Sequence, residues 1–244
     1  MNVQSDGNLK NGAFQNAAPN SASKDFEDFI YLLSHDVRNS VRALLELPQW
    51  IKEDLVEDGR FTGDSLIENF DLMEVHTRRL DRMLIDLLAY SRVGRNQNVR
   101  SIDIAEAVEY VVEQIAPPKG FVITQDLKCK TVQMGEQDIM TLLSAVISNA
   151  VKHHDQRSGT VDVSSWQDEN TCVICIQDDG PGIAEKYQSR VFDAMTILKP
   201  RDEVEGSGMG LAIVRKIVES YGGQVNWTDP KPGYSTALEI RAGL

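Results

Sequence analysis

The stretch Thr171-Cys172-Val173-Ile174-Cys175-Ile176-Gln177-Asp178-Asp179-Gly180-Pro181-Gly182 opens as an apolar run and closes on two acids and a glycine-rich turn. A short apolar run bounded by turn residues reads as a buried strand running into a loop. Cys172 and Cys175 form a C-x-x-C that could suggest redox chemistry or a metal. Their odd offset sends the thiols to opposite faces of a strand, so both are read as structural. Working outward, Phe121 to Gln125, Thr131 to Met134 and Thr160 to Trp166 read as further strands. Asp103 with Glu106 caps a helix that stops before Pro117, and Ile139 to Lys152 is a second helix. Downstream, a helix is expected from Met209 to Tyr221, with strands near Gln224 to Thr228 and Tyr234 to Ile240. Mixed helices and strands of this kind make a layered α/β domain.

The first third of the chain follows a different period. Phe26, Phe29, Ile30, Leu33, Val37, Leu44, Leu47, Ile51 and Leu55 form a helical stripe near the coiled-coil repeat, with a bend expected at Pro48. Gly59 to Asp64 marks a turn, and Ser65 with Glu68 is a capping box opening a second helix through Phe70, Met73, Leu80, Met83, Leu84, Leu87 and Leu88. That apolar face is too broad for two helices to cover alone, so pairing with a second copy in a four-helix bundle is expected. The polar, Asn/Ser/Gly/Ala-rich start cannot bury enough surface to order itself. The expected division is a flexible tail at 1–23, a helical hairpin at 24–93, a linker at 94–98 and the α/β domain at 99–244.

The net charge of −12 argues against binding nucleic acid, which rests on clustered Lys and Arg. Three cysteines without a framework spacing speak against a disulfide-stapled secreted domain. No membrane-spanning run or export signal is evident, so a cytoplasmic location is expected.

Four short motifs carry the chemistry. His35 lies about 200° around the helix from core-facing Leu33, so its imidazole is exposed, beside Asp36 and one turn before Asn39. A carboxylate on Nδ1–H fixes the tautomer that leaves Nε2 a free lone pair; a plain surface histidine is the bland reading. Asn149-Ala150-Val151-Lys152-His153-His154 closes a helix. Asn149 and Lys152 share a face that suits a hydrated Mg2+ and phosphates, against the bland reading of a helix end with cations at its negative pole. His153 and His154 diverge by about 100° and do not suggest a metal site. Asp178-Asp179-Gly180-Pro181-Gly182 by itself is no more than a strand-to-loop turn. Gly206-Ser207-Gly208-Met209-Gly210-Leu211 exposes backbone N–H groups at a helix start, where phosphate can dock. No Walker lysine follows it.

In this order the four motifs resemble the H, N, G1 and G2 boxes of two-component sensor histidine kinases, with wording close to phytochrome-like and PAS-linked members. The resemblance covers nearly all of 24–244. It implies a dimeric phosphoacceptor four-helix bundle followed by an α/β sandwich of the Bergerat ATP-binding type. It further implies that His35 is phosphorylated from Mg-ATP, that Asp36 orients its ring, and that Asn39 positions water for dephosphorylating a response regulator. The implied nucleotide site comprises Asn149, Lys152, His153, Asp178, Gly180, Gly182, Gly206, Ser207, Gly208, Met209, Gly210, Leu211 and Thr236. Within it Asn149 is the implied Mg2+ ligand and Asp178 the acceptor for the adenine amino group, and Lys199 and Arg201 reach phosphate from a lid at 183–205. The implied partners are a second copy, a response regulator receiver domain, and a sensor on another chain or a missing domain, with no nucleic acid or membrane. Departures stand at Ser40, Ala145 and Met195, where the family usually has Pro, Asn and Phe; Ala145 implies slower phosphoryl transfer. Two rival readings remain: a histidine phosphotransferase relay that no longer uses ATP, and a non-catalytic dimeric adaptor.

Overall fold

The computed structural model describes residues 37, 41–42, 44–53, 55–56, 64–95, 97–198 and 206–243. The expectations for the tail at 1–23, for His35, Asp36 and Asn39, and for Lys199 and Arg201 fall outside these residues. Residues 44–53 are helical on both sides of Pro48, and α1 follows as Asp64–Arg92. Val41, Phe70, Leu84 and Leu88 are buried, whereas Leu44, Leu47, Trp50, Leu72, Met73 and Leu80 are exposed. The helices thus carry more apolar surface than they cover. Among the described residues, no helix is long and apolar enough to cross a membrane.

The α/β sandwich comprises β1 (Arg100–Asp103), α2 (Ile104–Ile115), β2 (Phe121–Leu127), β3 (Thr131–Met134), α3 (Glu136–Lys152), β4 (Gly159–Asp168), β5 (Thr171–Asp178), α4 (Glu185–Gln188), a 3-10 turn at Arg190–Phe192, α5 (Gly210–Ser220), β6 (Gln224–Trp227) and β7 (Thr236–Gly243). Five strands form one sheet in the order β2-β4-β5-β7-β6, and β1 pairs with β3 in a separate ribbon. Only β2 and β4 are parallel; the other neighbours in the large sheet are antiparallel. Alternation decides which side chains meet the helices: Cys172, Ile174 and Ile176 of β5 join Leu238 and Ile240 of β7 in the core, with Leu142, Ile147, Ile213 and Ile217 from the helices. Cys175 lies on the other face and is buried too. Burial pushes its thiol up to about 11 and raises Cys172 further, so neither is a thiolate at neutral pH.

Local signals set the helix ends. Asp103 accepts hydrogen bonds from the backbone N–H groups of Ala105 and Glu106 at 2.8 and 3.1 Å, and α2 stops at left-handed Ala116 before Pro117. The α3 N-terminus has no cap on its own residue, Gly135. Gln97 supplies one instead: its Oε1 accepts from the N–H groups of Gln137 and Asp138 at 3.0 and 3.3 Å. Asp138, 4% exposed, in turn accepts from Gly94 N–H at 3.0 Å and from the Tyr221 hydroxyl at 2.7 Å. The segment read as a polar linker is therefore hydrogen-bonded onto α3. Gln97→Ala removes the acceptor for two orphan donors, which costs about 1 kcal/mol for a lost N-cap. A melting temperature lower by about 2–4 °C is expected for a chain of this size, and an unchanged melt would show the cap to be dispensable.

Several boundaries shift from expectation. The last strand starts at Thr236 because Tyr234 N–H closes a turn onto Lys231 O, and it runs on to Gly243. The helix expected from Met209 starts at Gly210, with Met209 as its N-cap residue. Strand β1, too short for a visible alternation, was not expected at all.

Candidate functional site

A cleft of about 790 Å³ opens between α3, the loop after β5 and the start of α5. On the α3 side, Ala145, Asn149 and Lys152 follow one another at helical spacing and all line it, with His153 at the helix end. On the floor, Asp178 and Thr236 face each other across the β5–β7 register. Gly182, Gly206, Ser207, Gly208, Gly210 and Leu211 also line the cleft. Two of the residues named from the sequence do not. Met209 is 2% exposed and belongs to the core, and Gly180 lies behind Asp178.

Glycine is needed at two points here, Gly180 and Gly208, for different reasons. A Cβ on Gly180 would lie 2.9 Å from Asp178 Oδ1, the atom that accepts the Gly180 N–H at 3.1 Å. Gly208 combines φ of +75° with a would-be Cβ only 2.6 Å from Thr196 O, so any side chain would displace the backbone flanking the cleft. Gly210 opens α5 directly beside the other wall: a Cβ there would sit 3.6 Å from Asn149 Nδ2 and 3.8 Å from the Ala145 Cβ. The first N–H groups of an 11-residue helix and the Asn149 amide thus converge on one spot. Such a spot favours anionic oxygens, since the helix start carries partial positive charge.

The electrostatics separate two adjacent acids. Burial raises Asp178 above the usual carboxylate range, and the Gly180 N–H and the Thr236 hydroxyl only partly oppose it. For Asp179 burial pushes the same way, but hydrogen bonds from Thr160 N–H and the His154 ring outweigh it and leave the group below its usual value. Asp179 therefore holds the charge more firmly than Asp178. The Asp178 carboxylate remains an acceptor aimed into a partly apolar cleft lined by Ile176, Ile183 and Leu238.

A Mg2+ site can be tested on the donor set. Among the described residues no group of three or more His, Cys, Asp or Glu could hold a metal ion. The cleft offers the neutral Asn149 amide, which fits a hard cation that keeps its water and takes its other ligands from phosphate.

Other lining residues were not foreseen. Arg82, Asp86 and Ala89 reach the cleft from α1. The Ser207 hydroxyl donates to Asp86 Oδ2 at 2.5 Å, and the Lys216 ammonium donates to Tyr90 O at 2.9 Å while lying over the Tyr90 ring. These α1 residues recur at spacings of four and three, off the apolar stripe, a signal that the sequence did contain. The His154–Asp179 bond was missed as well, because His154 was weighed only as a metal ligand.

Residues 134–243 match the family described as Histidine kinase-, DNA gyrase B-, and HSP90-like ATPase. The Methanogenesis regulatory histidine kinase FilI of Methanothrix harundinacea is 27% identical over 88% of this chain and 24% of its own length. The Phytochrome-like protein Cph1 of Synechocystis is 27% identical over 87% of this chain and 28% of its own. The chain thus spans about a quarter of these relatives. Among solved structures, full-length ShkA in complex with AMPPNP aligns with a TM-score of 0.66 at 21% identity, over 88% of this chain and 45% of that one, which is a likeness of fold. The mycobacterial sensor histidine kinase MprB aligns with a TM-score of 0.52 at 25% identity, over 60% of this chain and 97% of that one.

Proposed function

We propose, because residues 134–243 match the family described as Histidine kinase-, DNA gyrase B-, and HSP90-like ATPase, that the chain is the core of a sensor histidine kinase that phosphorylates its own His35 from Mg-ATP. The phosphoryl group then passes to an aspartate of a response regulator. The observation that carries this reading is the convergence of Asn149, Ala145 and the start of α5 beside the Asp178–Thr236 floor. It offers a phosphate end and a base end within one cleft.

In this reading adenine lies at Asp178, whose carboxylate accepts from the exocyclic amino group; a buried acceptor of this kind rejects bases without the donor. The triphosphate runs toward Gly206, Ser207, Gly208 and Gly210, with Lys152 offsetting its charge. Asn149 would hold Mg2+, which neutralises charge on the phosphates when bound. Nε2 of His35 forms a bond to the γ-phosphorus, the bond from that phosphorus to the bridging oxygen breaks, and ADP leaves with its electron pair. Asp36 orients the ring and receives the Nδ1 proton. Asn39 positions water for the reverse task, removing phosphate from the regulator. The exposed Leu72, Met73 and Leu80 support pairing of two copies through the hairpin. The sensing function belongs to a partner chain or to a further domain.

Titration calorimetry with Mg-ATP tests the reading: a kinase binds the nucleotide, whereas a phosphotransfer relay or an adaptor does not. A second expectation concerns rate. Ala145 places a methyl group, 3.8 Å from the would-be Gly210 Cβ, where an amide could share in the phosphate end. One such polar contact is worth about 1–3 kcal/mol, or about tenfold to a hundredfold in rate if it acts only in the transition state. Ala145→Asn is expected to speed His35 labelling at saturating Mg-ATP with little change in affinity. Unchanged or slower single-turnover labelling would show the alanine to be accommodated.

A further inference from the structure

We infer that His154 and Asp179 form a positioning pair that holds the Asp178 carboxylate in place, and thereby set the preference of the cleft for a 6-amino over a 6-oxo purine. The inference rests on the reading that Asp178 meets the adenine amino group.

The His154 side chain is 3% exposed and joins four segments. It follows the end of α3, the helix that carries Asn149 and Lys152. Its ring meets Phe121 of β2 edge-on, with centroids 5.3 Å apart. Nδ1 accepts the Gln156 N–H at 3.0 Å, so the ring proton sits on Nε2 and is donated to Asp179 Oδ1 at 3.1 Å. The same oxygen accepts from Thr160 N–H at 2.7 Å, at the start of β4. The ring therefore ties the phosphate-side helix to the base-side loop.

Two glycines make room for it. A Cβ on Gly159 would lie 2.8 Å from His154 Cδ2 and 2.9 Å from Asp179 Oδ1. A Cβ on Gly180 would meet both Asp178 Oδ1 at 2.9 Å and His154 Cδ2 at 3.2 Å. The glycine whose N–H holds the Asp178 carboxylate is thus wedged between that carboxylate and the imidazole. Asp178 and Asp179 share a peptide unit, so pinning Asp179 at two donors also fixes the plane from which Asp178 projects. The unequal proton affinities of the two acids, Asp178 raised and Asp179 lowered, agree with this division of labour. Asp179 takes the imidazole and Thr160 N–H groups on one oxygen, while Asp178, held by the Gly180 N–H and the Thr236 hydroxyl, keeps lone pairs for the ligand.

The test compares Mg-ATP with Mg-ITP, which differ at the purine 6-position. Affinities of both are measured by calorimetry on the full chain for wild type, His154→Ala, Asp179→Ala, the double variant and His154→Gln, with melting curves confirming a folded state. The ATP-over-ITP ratio is expected to fall about tenfold in either single alanine variant, the scale of one lost polar contact. The double variant is expected to lose no more than one single, because the two residues act as a unit. His154→Gln retains most of the preference, since its amide nitrogen can donate to Asp179. Parallel losses for both nucleotides with an unchanged ratio would overturn the inference and leave the pair a structural brace. So would full preference in the alanine variants, or no recovery in His154→Gln should His154→Ala fail to fold. A wild-type chain that binds ATP and ITP equally would overturn the adenine reading of Asp178 itself, and this inference with it.

Discussion

Replacing Asp178 with asparagine is expected to lower Mg-ATP affinity by about tenfold to a hundredfold, the effect of mispairing one buried polar contact, without lowering the melting temperature of the nucleotide-free chain. The two halves have one cause. Burial disfavours the charged form of Asp178, so the free protein bears a carboxylate that it does not stabilise. Asparagine is neutral and its oxygen can still accept the Gly180 N–H, but its amide nitrogen then turns a donor toward the donor of adenine. The pH dependence follows the same sign. A carboxyl whose folded value is raised binds its proton more readily in the native state, so its contribution to stability declines as pH rises from the unfolded value through the raised one. Nucleotide affinity moves oppositely and is lost as pH falls through that raised value. Calorimetry and thermal melts of both proteins between about pH 4 and 8, spanning the ordinary carboxylate range and neutrality, check the pair of claims. Unimpaired ATP binding by the variant would remove Asp178 from base recognition.

His35→Gln is expected to abolish self-phosphorylation while the Mg-ATP dissociation constant stays at its wild-type value. Glutamine keeps length and polarity but has no lone pair able to attack phosphorus at neutral pH. The residues to which the proposal assigns the nucleotide, Asn149, Asp178 and Gly210 among them, are distinct from the proposed acceptor, so loss of labelling and loss of binding are separable. His76, exposed on α1, is the internal control. Alkali-stable label persisting on His35→Gln and vanishing on His76→Gln would transfer the acceptor role to α1.

The sandwich was legible where period and punctuation agreed. The β5 run ending in Asp178-Asp179-Gly180, the apolar spacing of Ile139, Leu142, Leu143, Val146 and Ile147, and the stop before Pro117 each reflect local physics, and the structure has elements there. Strand β1 was not legible, because Arg100-Ser101-Ile102-Asp103 offers one apolar side chain and takes its conformation from pairing with β3. Nor was the Gln97 cap, since it joins positions 40 and 41 residues apart, a tertiary contact with no local signature. At the site, glycine spacing announced the loops that line the cleft. It could not tell that Met209 turns into the core, or that Gly180 serves as a gap behind Asp178. The α1 wall left a spacing signal in Arg82, Asp86 and Ala89, but nothing local pairs it with the glycine-rich loop, which meets α1 through Asp86 and Ser207, 121 residues apart.

Incubation of the chain with γ-labelled Mg-ATP tests the central claim most directly, with the bound label then exposed separately to acid and to alkali. The account predicts label on the protein that acid releases and alkali leaves in place, as a phosphorus–nitrogen bond on imidazole requires. Label that survives acid, or no label at all under conditions where calorimetry shows Mg-ATP to be bound, would contradict it.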